Sequence, residues 1–147
     1  MKTDANPGMN WLYWALLSAF FAGVTAILAK VGVAGVNSNL ATAIRTTVVL
    51  IFAWGIALAT SKPSAALELS WRTWMFLALS GLATGLSWLC YFRALQLGEA
   101  SRVAPVDKLS VVFVIVFAAI FLREPLTWQQ WVGGLLIVAG AIVLAWH

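Results

Sequence analysis

Polar, charged and aromatic side chains that can bind a solute are concentrated in residues 87–110. One apolar run carries Trp88 and Tyr91, a short polar turn follows, and a second apolar run holds Asp107 and Lys108 in its first turns. Ionisable residues at the edge of hydrocarbon are costly, so they usually face a bundle interior or a water-filled cavity. The pattern therefore predicts that the functional site lies in this stretch.

Four hydroxyl side chains recur at spacings of 4, 3 and 4 residues, which places them on one face of a helix. They are Ser80, Thr84, Ser87 and Tyr91. Such a stripe can bond its own backbone or a neighbouring helix. Because it ends beside Trp88 and Arg93, the wall of a cavity is an equally good interpretation.

Two further basic residues lie at or inside apolar segments. Arg45 falls inside the second segment, and the sequence leaves open whether it extends outward or lines an aqueous cavity. Lys30 ends the first segment, where we expect its long side chain to reach the lipid head groups. Small residues at helical spacing in that first segment indicate either close helix packing or a cavity wall. They are Ser18, Ala22, Thr25 and Ala29.

The elements that position these residues follow from composition. Of the 147 residues, 63% are hydrophobic and 10% are charged, whereas soluble domains carry about 25% charged residues. Five apolar segments each approach the roughly 20 residues that a helix needs to cross a bilayer. We therefore predict an all-α integral membrane protein, forming one domain over residues 1–147. Its five transmembrane helices are expected at about residues 11–33, 39–60, 71–96, 103–122 and 126–146.

Several other classes of protein are not expected. No stretch alternates apolar and polar residues as a barrel strand does. The first segment is longer than a signal-peptide core and ends in Lys30, so we interpret it as a retained helix. The single cysteine, Cys90, excludes an intramolecular disulfide. No nucleophile–base pair, metal cluster or phosphate loop is recognisable, so we expect no enzyme, cofactor or metal site.

The basic residues are nearly balanced between the two sides of the predicted membrane. Four lie on the side of the N-terminus, namely Lys2, Lys62, Arg72 and Arg123. Five lie on or near the other side, namely Lys30, Arg45, Arg93, Arg102 and Lys108. Near balance permits insertion in both orientations. We relate the net positive charge to anionic lipid head groups and not to nucleic acid.

Glycines in the last helix predict a contact with a second chain. Gly133 and Gly140 are seven residues apart, two turns along one face, and Gly134 lies beside the first of them. Small residues let transmembrane helices approach closely, which drives their association. Many transporters consist of two repeats of inverted topology, so two copies of a five-span chain can recreate that architecture by pairing antiparallel.

Several of these segments resemble the EamA-type half-repeat of the drug/metabolite transporter superfamily, in its stand-alone five-helix form. The resemblance covers residues 11–146 and rests on four segments. They are residues 39–45, G-L-A-T-G-L-S-W-L-C-Y-F-R-A-L-Q-L-G at 81–98, V-A-P-V-D-K-L-S at 103–110, and the final R-E-P-L-T…G-G-L-L-I-V-A-G pattern. The resemblance implies a transporter that works as a homodimer by alternating access. We expect it in the cytoplasmic (inner) membrane of a bacterium or archaeon.

The last two helices also resemble those of the four-helix small multidrug resistance transporters, whose final helix dimerises through a similar glycine face. Those transporters place a glutamate in the membrane-embedded first helix, where it handles both protons and cationic drugs. Aligning the two on Lys30 puts Ala22 at the position of that glutamate. The proton-for-cation mechanism is therefore not carried over to this chain.

The leading hypothesis is a secondary transporter of small polar or amphipathic solutes. Trp88 and Tyr91 would supply aromatic surface, with Ser87 and Thr84 as hydrogen-bonding groups.

The charged residues near this surface indicate the kind of solute. Arg93, Lys108 and Arg45 would hold a negative or zwitterionic group, and Asp107 would pair with Lys108 or carry a proton. More bases than carboxylates argue against a bare cation as the substrate.

Two alternatives remain open. A flippase-like unit that moves a lipid-linked headgroup would use the same basic and aromatic groups, opened sideways to lipid. A non-transporting membrane scaffold would use only the glycine faces.

Overall fold

The computed structural model describes residues 7–61, 64 and 68–146. Within that part the chain is helical and no strand occurs. The helices are α1 (Pro7–Gly32), α2 (Ser38–Thr60), α3 (Trp71–Leu97), α4 (Ala100–Asp107), α5 (Ser110–Phe117) and α6 (Trp128–Ala145), and a π-helical segment (Ala118–Leu122) continues α5.

Five stretches of the described chain are long and apolar enough to cross a membrane, and α4, α5 and the π-helical segment together form the fourth. The spans are Trp11–Gly32, Ser38–Thr60, Trp71–Leu97, Ala100–Leu122 and Trp128–Ala145. The prediction of an all-α integral membrane protein with five transmembrane helices is confirmed.

The fourth span is interrupted near its start, which the sequence did not indicate. It begins at Ala100, three residues earlier than expected, after the extended N-cap residue Glu99. Pro105 lies inside α4 and cannot donate the backbone bond that continues a helix. Two bonds at the junction have the tighter spacing of a 3₁₀ turn, from Leu109 N to Val106 O and from Val111 N to Lys108 O, both at 3.0 Å.

Helix α3 is the central element of the bundle. It packs against α1, α2 and α4, while α6 packs against α4 and α5. Most large apolar side chains on these helices are exposed, as expected for a surface that faces lipid. The buried core is small and consists of Ala29, Val33, Phe92 and Leu95. Because these residues lie near the C-terminal ends of α1 and α3, the bundle is closed at that end.

Lys30 connects the ends of α1 and α3 at this closed end, through a contact that the sequence did not predict. Its Nζ donates hydrogen bonds to the carbonyl oxygens of Leu95 at 2.6 Å and Gly98 at 2.8 Å. The last carbonyls of a helix have no partner within the helix, and a cation is favoured beside them. Gln96 Nε2 also donates to Val36 O in the α1–α2 turn, so the end of α3 is tied to two neighbouring segments.

We expect the substitution Lys30→Met to destabilise the protein by about 1.5–3 kcal/mol, the usual range for hydrogen bonds that involve a charged group. The variant keeps most of the apolar stem and removes the donors to Leu95 and Gly98. Lys108→Met is the matched control, because the Lys108 side chain is 57% exposed. Unfolding by sodium dodecyl sulfate titration in mixed micelles measures both variants. Equal losses for the two lysines would contradict the role of Lys30 at the closed end.

Candidate functional site

A cavity of about 190 Å³ lies where α1, α2, α3 and the α4–α5 junction meet. We call it the polar cavity. Its lining residues are Ala22, Thr25, Arg45, Ser87, Trp88, Tyr91, Asp107 and Lys108. The structure thus brings together six of the eight residues that the sequence analysis assigned to substrate binding, from α2, α3 and the α4–α5 junction.

Arg45 lines this cavity and stacks on two aromatic rings. Its Cζ lies 4.2 Å from the ring centroid of Trp88 and 5.5 Å from that of Phe92. Both distances are within the roughly 6 Å range of a cation–π interaction. Trp88 and Phe92 are four residues apart on α3, so their rings stand one above the other on the same face. Phe92 was not identified from sequence, although this spacing from Trp88 was available.

The guanidinium of Arg45 keeps donors free for a ligand. Among the residues that the structure describes, no carboxylate lies within ion-pair distance of it. A guanidinium carries five N–H donors in a planar fork that matches a carboxylate or phosphate group. The rings of Trp88 and Phe92 compensate part of its charge without occupying those donors.

Asp107 and Lys108 adjoin the cavity at the break in the fourth span. Lys108 Nζ lies 3.4 Å from Asp107 Oδ2, and the two side chains are 57% and 36% exposed, respectively. A partly exposed pair of this kind contributes little to stability. Together with Arg45, the cavity carries two basic groups against one acidic group, so its net charge is positive.

Two predicted site residues lie elsewhere. Thr84 Oγ1 donates to Ser80 O on its own helix at 2.9 Å. Arg93 donates to Gln96 Oε1 at 2.9 Å and lines a different cavity of about 380 Å³, beside Lys30. Arg93 follows Tyr91 by two residues, which is about 200° around a helix, so the two side chains face opposite ways.

The small-residue face of α1 serves both purposes that the sequence left open. Ala22 and Thr25 line the polar cavity, and Ala29 is buried in the core at the closed end. The middle of this small-residue face therefore forms part of the cavity wall, and its C-terminal part packs in the core at the closed end.

Two larger apolar grooves adjoin the polar cavity. The α1–α2 groove has a volume of about 390 Å³ and shares Thr25 and Arg45 with the cavity. The α3–α4–α6 groove has a volume of about 380 Å³ and shares Ser87, Tyr91 and Asp107 with it. The α1–α2 groove is lined mainly by aliphatic side chains, whereas the α3–α4–α6 groove also contains Arg102 and Asp107.

The three glycines assigned to dimerisation do not face the same way. Gly134 is buried, and a Cβ atom at this position would lie 3.8 Å from Ile115 Cδ1 of α5. At Gly133 and Gly140 no atom lies within 4 Å of such a Cβ. Gly134 therefore packs within the chain, and of these three glycines Gly133 and Gly140 leave space for a second helix.

Among the described residues, no group of three or more histidine, cysteine, aspartate or glutamate side chains could hold a metal ion. The polar cavity instead offers charge, hydrogen bonds and ring stacking, which suit binding of an organic solute.

Comparison with known proteins identifies the family. The model of the EamA-like transporter family matches residues 9–146. An uncharacterised transporter from the cobO 3′ region of Sinorhizobium sp. is 57% identical over 136 residues, which cover 92% of this chain and 96% of the relative. No solved structure matches the chain significantly.

Two more distant relatives also carry transport-related names. The probable 4-amino-4-deoxy-L-arabinose-phosphoundecaprenol flippase subunit ArnE of Pseudomonas fluorescens is 32% identical over 87 residues, covering 58% of this chain and 74% of the relative. An uncharacterised transporter of Methanothermobacter thermautotrophicus is 25% identical over 150 residues, covering 97% of this chain and 41% of the relative. These names describe transport and not catalysis. The match across almost the whole sequence and the five spans together confirm the resemblance, and the chain belongs to the EamA-like transporter family.

Proposed function

We propose that the polar cavity is the substrate site of a secondary transporter for small polar or amphipathic metabolites with a negative or zwitterionic group. One observation carries the proposal. Arg45 lies in a membrane-spanning helix, stacks 4.2 Å from the Trp88 ring centroid and has no described carboxylate partner. Because a charge at membrane depth is costly, an arginine held in this way is a functional-site candidate.

Each residue of the polar cavity would have a distinct role in binding the solute. Arg45 would bind a carboxylate or phosphate through two parallel hydrogen bonds, while Trp88 fixes the plane of the guanidinium. Ser87, Thr25 and Tyr91 would hydrogen-bond the remaining polar atoms of the solute. Lys108 adds a second positive charge at the helix junction.

Alternating access would use the interrupted fourth span. Transporter sites are commonly formed by discontinuous helices near the interface of two inverted repeats. Asp107 and Lys108 lie at the break after α4 and line the polar cavity, so this break would supply the discontinuous helix. We propose that the chain is a single membrane domain of the bacterial inner membrane, which acts as one repeat and pairs antiparallel with a second copy through Gly133 and Gly140.

A flippase-like unit for a lipid-linked headgroup is the second candidate. The probable flippase subunit of Pseudomonas fluorescens favours it by its name, and the apolar grooves beside the cavity are compatible with it. Competition by long-chain lipid phosphates, without competition by their soluble headgroups, would separate this function from metabolite transport.

A scaffold without transport would instead tolerate substitutions at Trp88, Tyr91 and Lys108 with effects on stability alone.

Substitution of Arg45 tests the proposed site. In proteoliposomes we expect Arg45→Gln to reduce uptake of the transported solute by at least about tenfold, because a hydrogen bond to a charged group contributes about 1.5–3 kcal/mol. The probes are radiolabelled leucine, glutamate and hexanoate, with tetraphenylphosphonium as the cation. The control is Arg72→Gln, which removes an exposed arginine whose Cζ lies 5.8 Å from the Phe76 ring centroid. Uptake of the cation alone, or equal uptake by the two variants, would contradict the proposal.

The proposed antiparallel pairing predicts that the chain inserts in both orientations. Reporter tags at Met1 and His147, two residues that lie outside the described part, should each be found on both sides of the membrane in cells. The near balance of basic residues is the physical reason. A single fixed orientation would exclude the antiparallel homodimer and would require a parallel pair or an oppositely oriented partner.

Two glycine substitutions on α6 separate dimerisation from folding. We expect Gly140→Leu to weaken association, because it fills space that a second helix would occupy. Gly134→Leu should instead destabilise the single chain, since its side chain would meet α5. Energy transfer between chains labelled at Cys90, the single cysteine, measures association. Detergent-dependent unfolding measures stability. Unchanged association for Gly140→Leu would contradict the assigned interface.

A further inference from the structure

The polar cavity is too small to hold a typical small-molecule ligand by itself. Its volume is about 190 Å³, whereas ligand pockets usually measure about 300–1,000 Å³. Each adjoining groove reaches that range, at about 390 and 380 Å³. A metabolite bound at Arg45 must therefore extend from the polar cavity into one of the two grooves.

The charged residues that line the two grooves favour the α1–α2 groove for the apolar part of an anionic solute. Arg45 itself forms part of this groove, so an anionic group held by the guanidinium lies at its entrance. The remainder of the groove is lined largely by apolar side chains, including Leu28, Ile44 and Phe92. The other groove is lined by both Arg102 and Asp107, so its base is offset by a carboxylate. The α1–α2 groove has Arg45 and no carboxylate among its lining residues.

We propose that the site takes a compact amphipathic anion. Its carboxylate or phosphate binds Arg45 in the polar cavity, and its single apolar chain lies in the α1–α2 groove along Leu28 and Ile44. This inference rests on the proposed transport function and names its substrate class. The groove volume favours a compact metabolite over a bilayer lipid, because it lies at the lower end of the range for small-molecule pockets.

Phe92 connects the two halves of the proposed site. Its ring lies 5.5 Å from the Arg45 guanidinium and also forms part of the groove wall. The same side chain therefore contacts the ion-binding group and the apolar chain. Burial of each methylene group from water should raise affinity about fourfold until the groove is filled.

Binding of alkyl phosphates to the full chain in lipid nanodiscs tests the inference. The probes are radiolabelled inorganic phosphate and butyl, hexyl and octyl phosphate, with binding to empty nanodiscs subtracted. We expect weak binding of phosphate and an affinity that rises with chain length and then levels off. Octanoate should compete, and octyltrimethylammonium should not.

Three variants assign the two halves of the site. Arg45→Gln should weaken binding of every alkyl phosphate by at least about tenfold. Arg45→Lys should recover part of that loss, because it restores charge without the planar fork. Gly32→Leu should abolish the gain from butyl to octyl phosphate while leaving butyl phosphate binding nearly unchanged, because Gly32 lines the groove and has open space at its Cβ position. Gly55→Leu, another open position, is the matched control.

Several results would overturn the inference. They are binding independent of chain length, equal binding of the alkyl cation, and an unchanged chain-length profile in Gly32→Leu. Preferential binding of hexadecyl phosphate would assign the groove to a bilayer lipid and reject the compact metabolite. Binding of octyl phosphate without uptake of any solute would reject the transport function and leave the binding site intact. Uptake of leucine without binding of alkyl phosphates would reject this inference alone.

Discussion

The cost of placing charge in hydrocarbon governs the structure of this protein. Each basic side chain at membrane depth must be neutralised, hydrogen-bonded or given access to water. Lys30 uses two backbone carbonyls of the α3 end, and Arg45 uses two aromatic rings. Lys108 lies beside Asp107 at an interruption of the fourth span. Lys30 thereby closes one end of the bundle, while Arg45 keeps its donors available to a ligand.

Helix α3 contributes residues both to the closed end of the bundle and to the polar cavity around Arg45. Its residues Trp88 and Tyr91 face the polar cavity, and the next turn supplies Phe92 and Leu95 to the core at the closed end. Phe92 belongs to the core and also contacts the guanidinium of Arg45. A movement that opened the closed end would therefore shift the aromatic platform under the arginine. Packing at the closed end and the position of the Arg45 guanidinium are therefore linked through Phe92.

The sequence predicted the parts of the structure that depend on composition and helical periodicity. Apolar length predicted the five spans, and the spacing of Ser87 and Tyr91 placed both on the cavity face. It did not predict the direction of Lys30 or the buried side of Gly134, because these depend on which helices become neighbours. The orientation of Arg93 away from Tyr91 follows from the 100° step of a helix, and angular reasoning could have found it. The spacing of Phe92 from Trp88 could likewise have indicated a shared helix face, but the position of the Arg45 guanidinium beside both rings depends on how α2 packs against α3.

The sign of the cavity charge sets this chain apart from the small multidrug resistance transporters that it resembles. Those transporters handle cations with a glutamate in the first helix, where this chain has Ala22. In the structure Ala22 lines the same cavity as Arg45. A carboxylate at that position would line the same cavity as the partly buried Arg45 and would offset its charge. With alanine there, Asp107 is the sole carboxylate among the described lining residues, against Arg45 and Lys108. The cavity therefore carries the opposite sign, and complementarity of charge favours the anionic or zwitterionic solute that we propose.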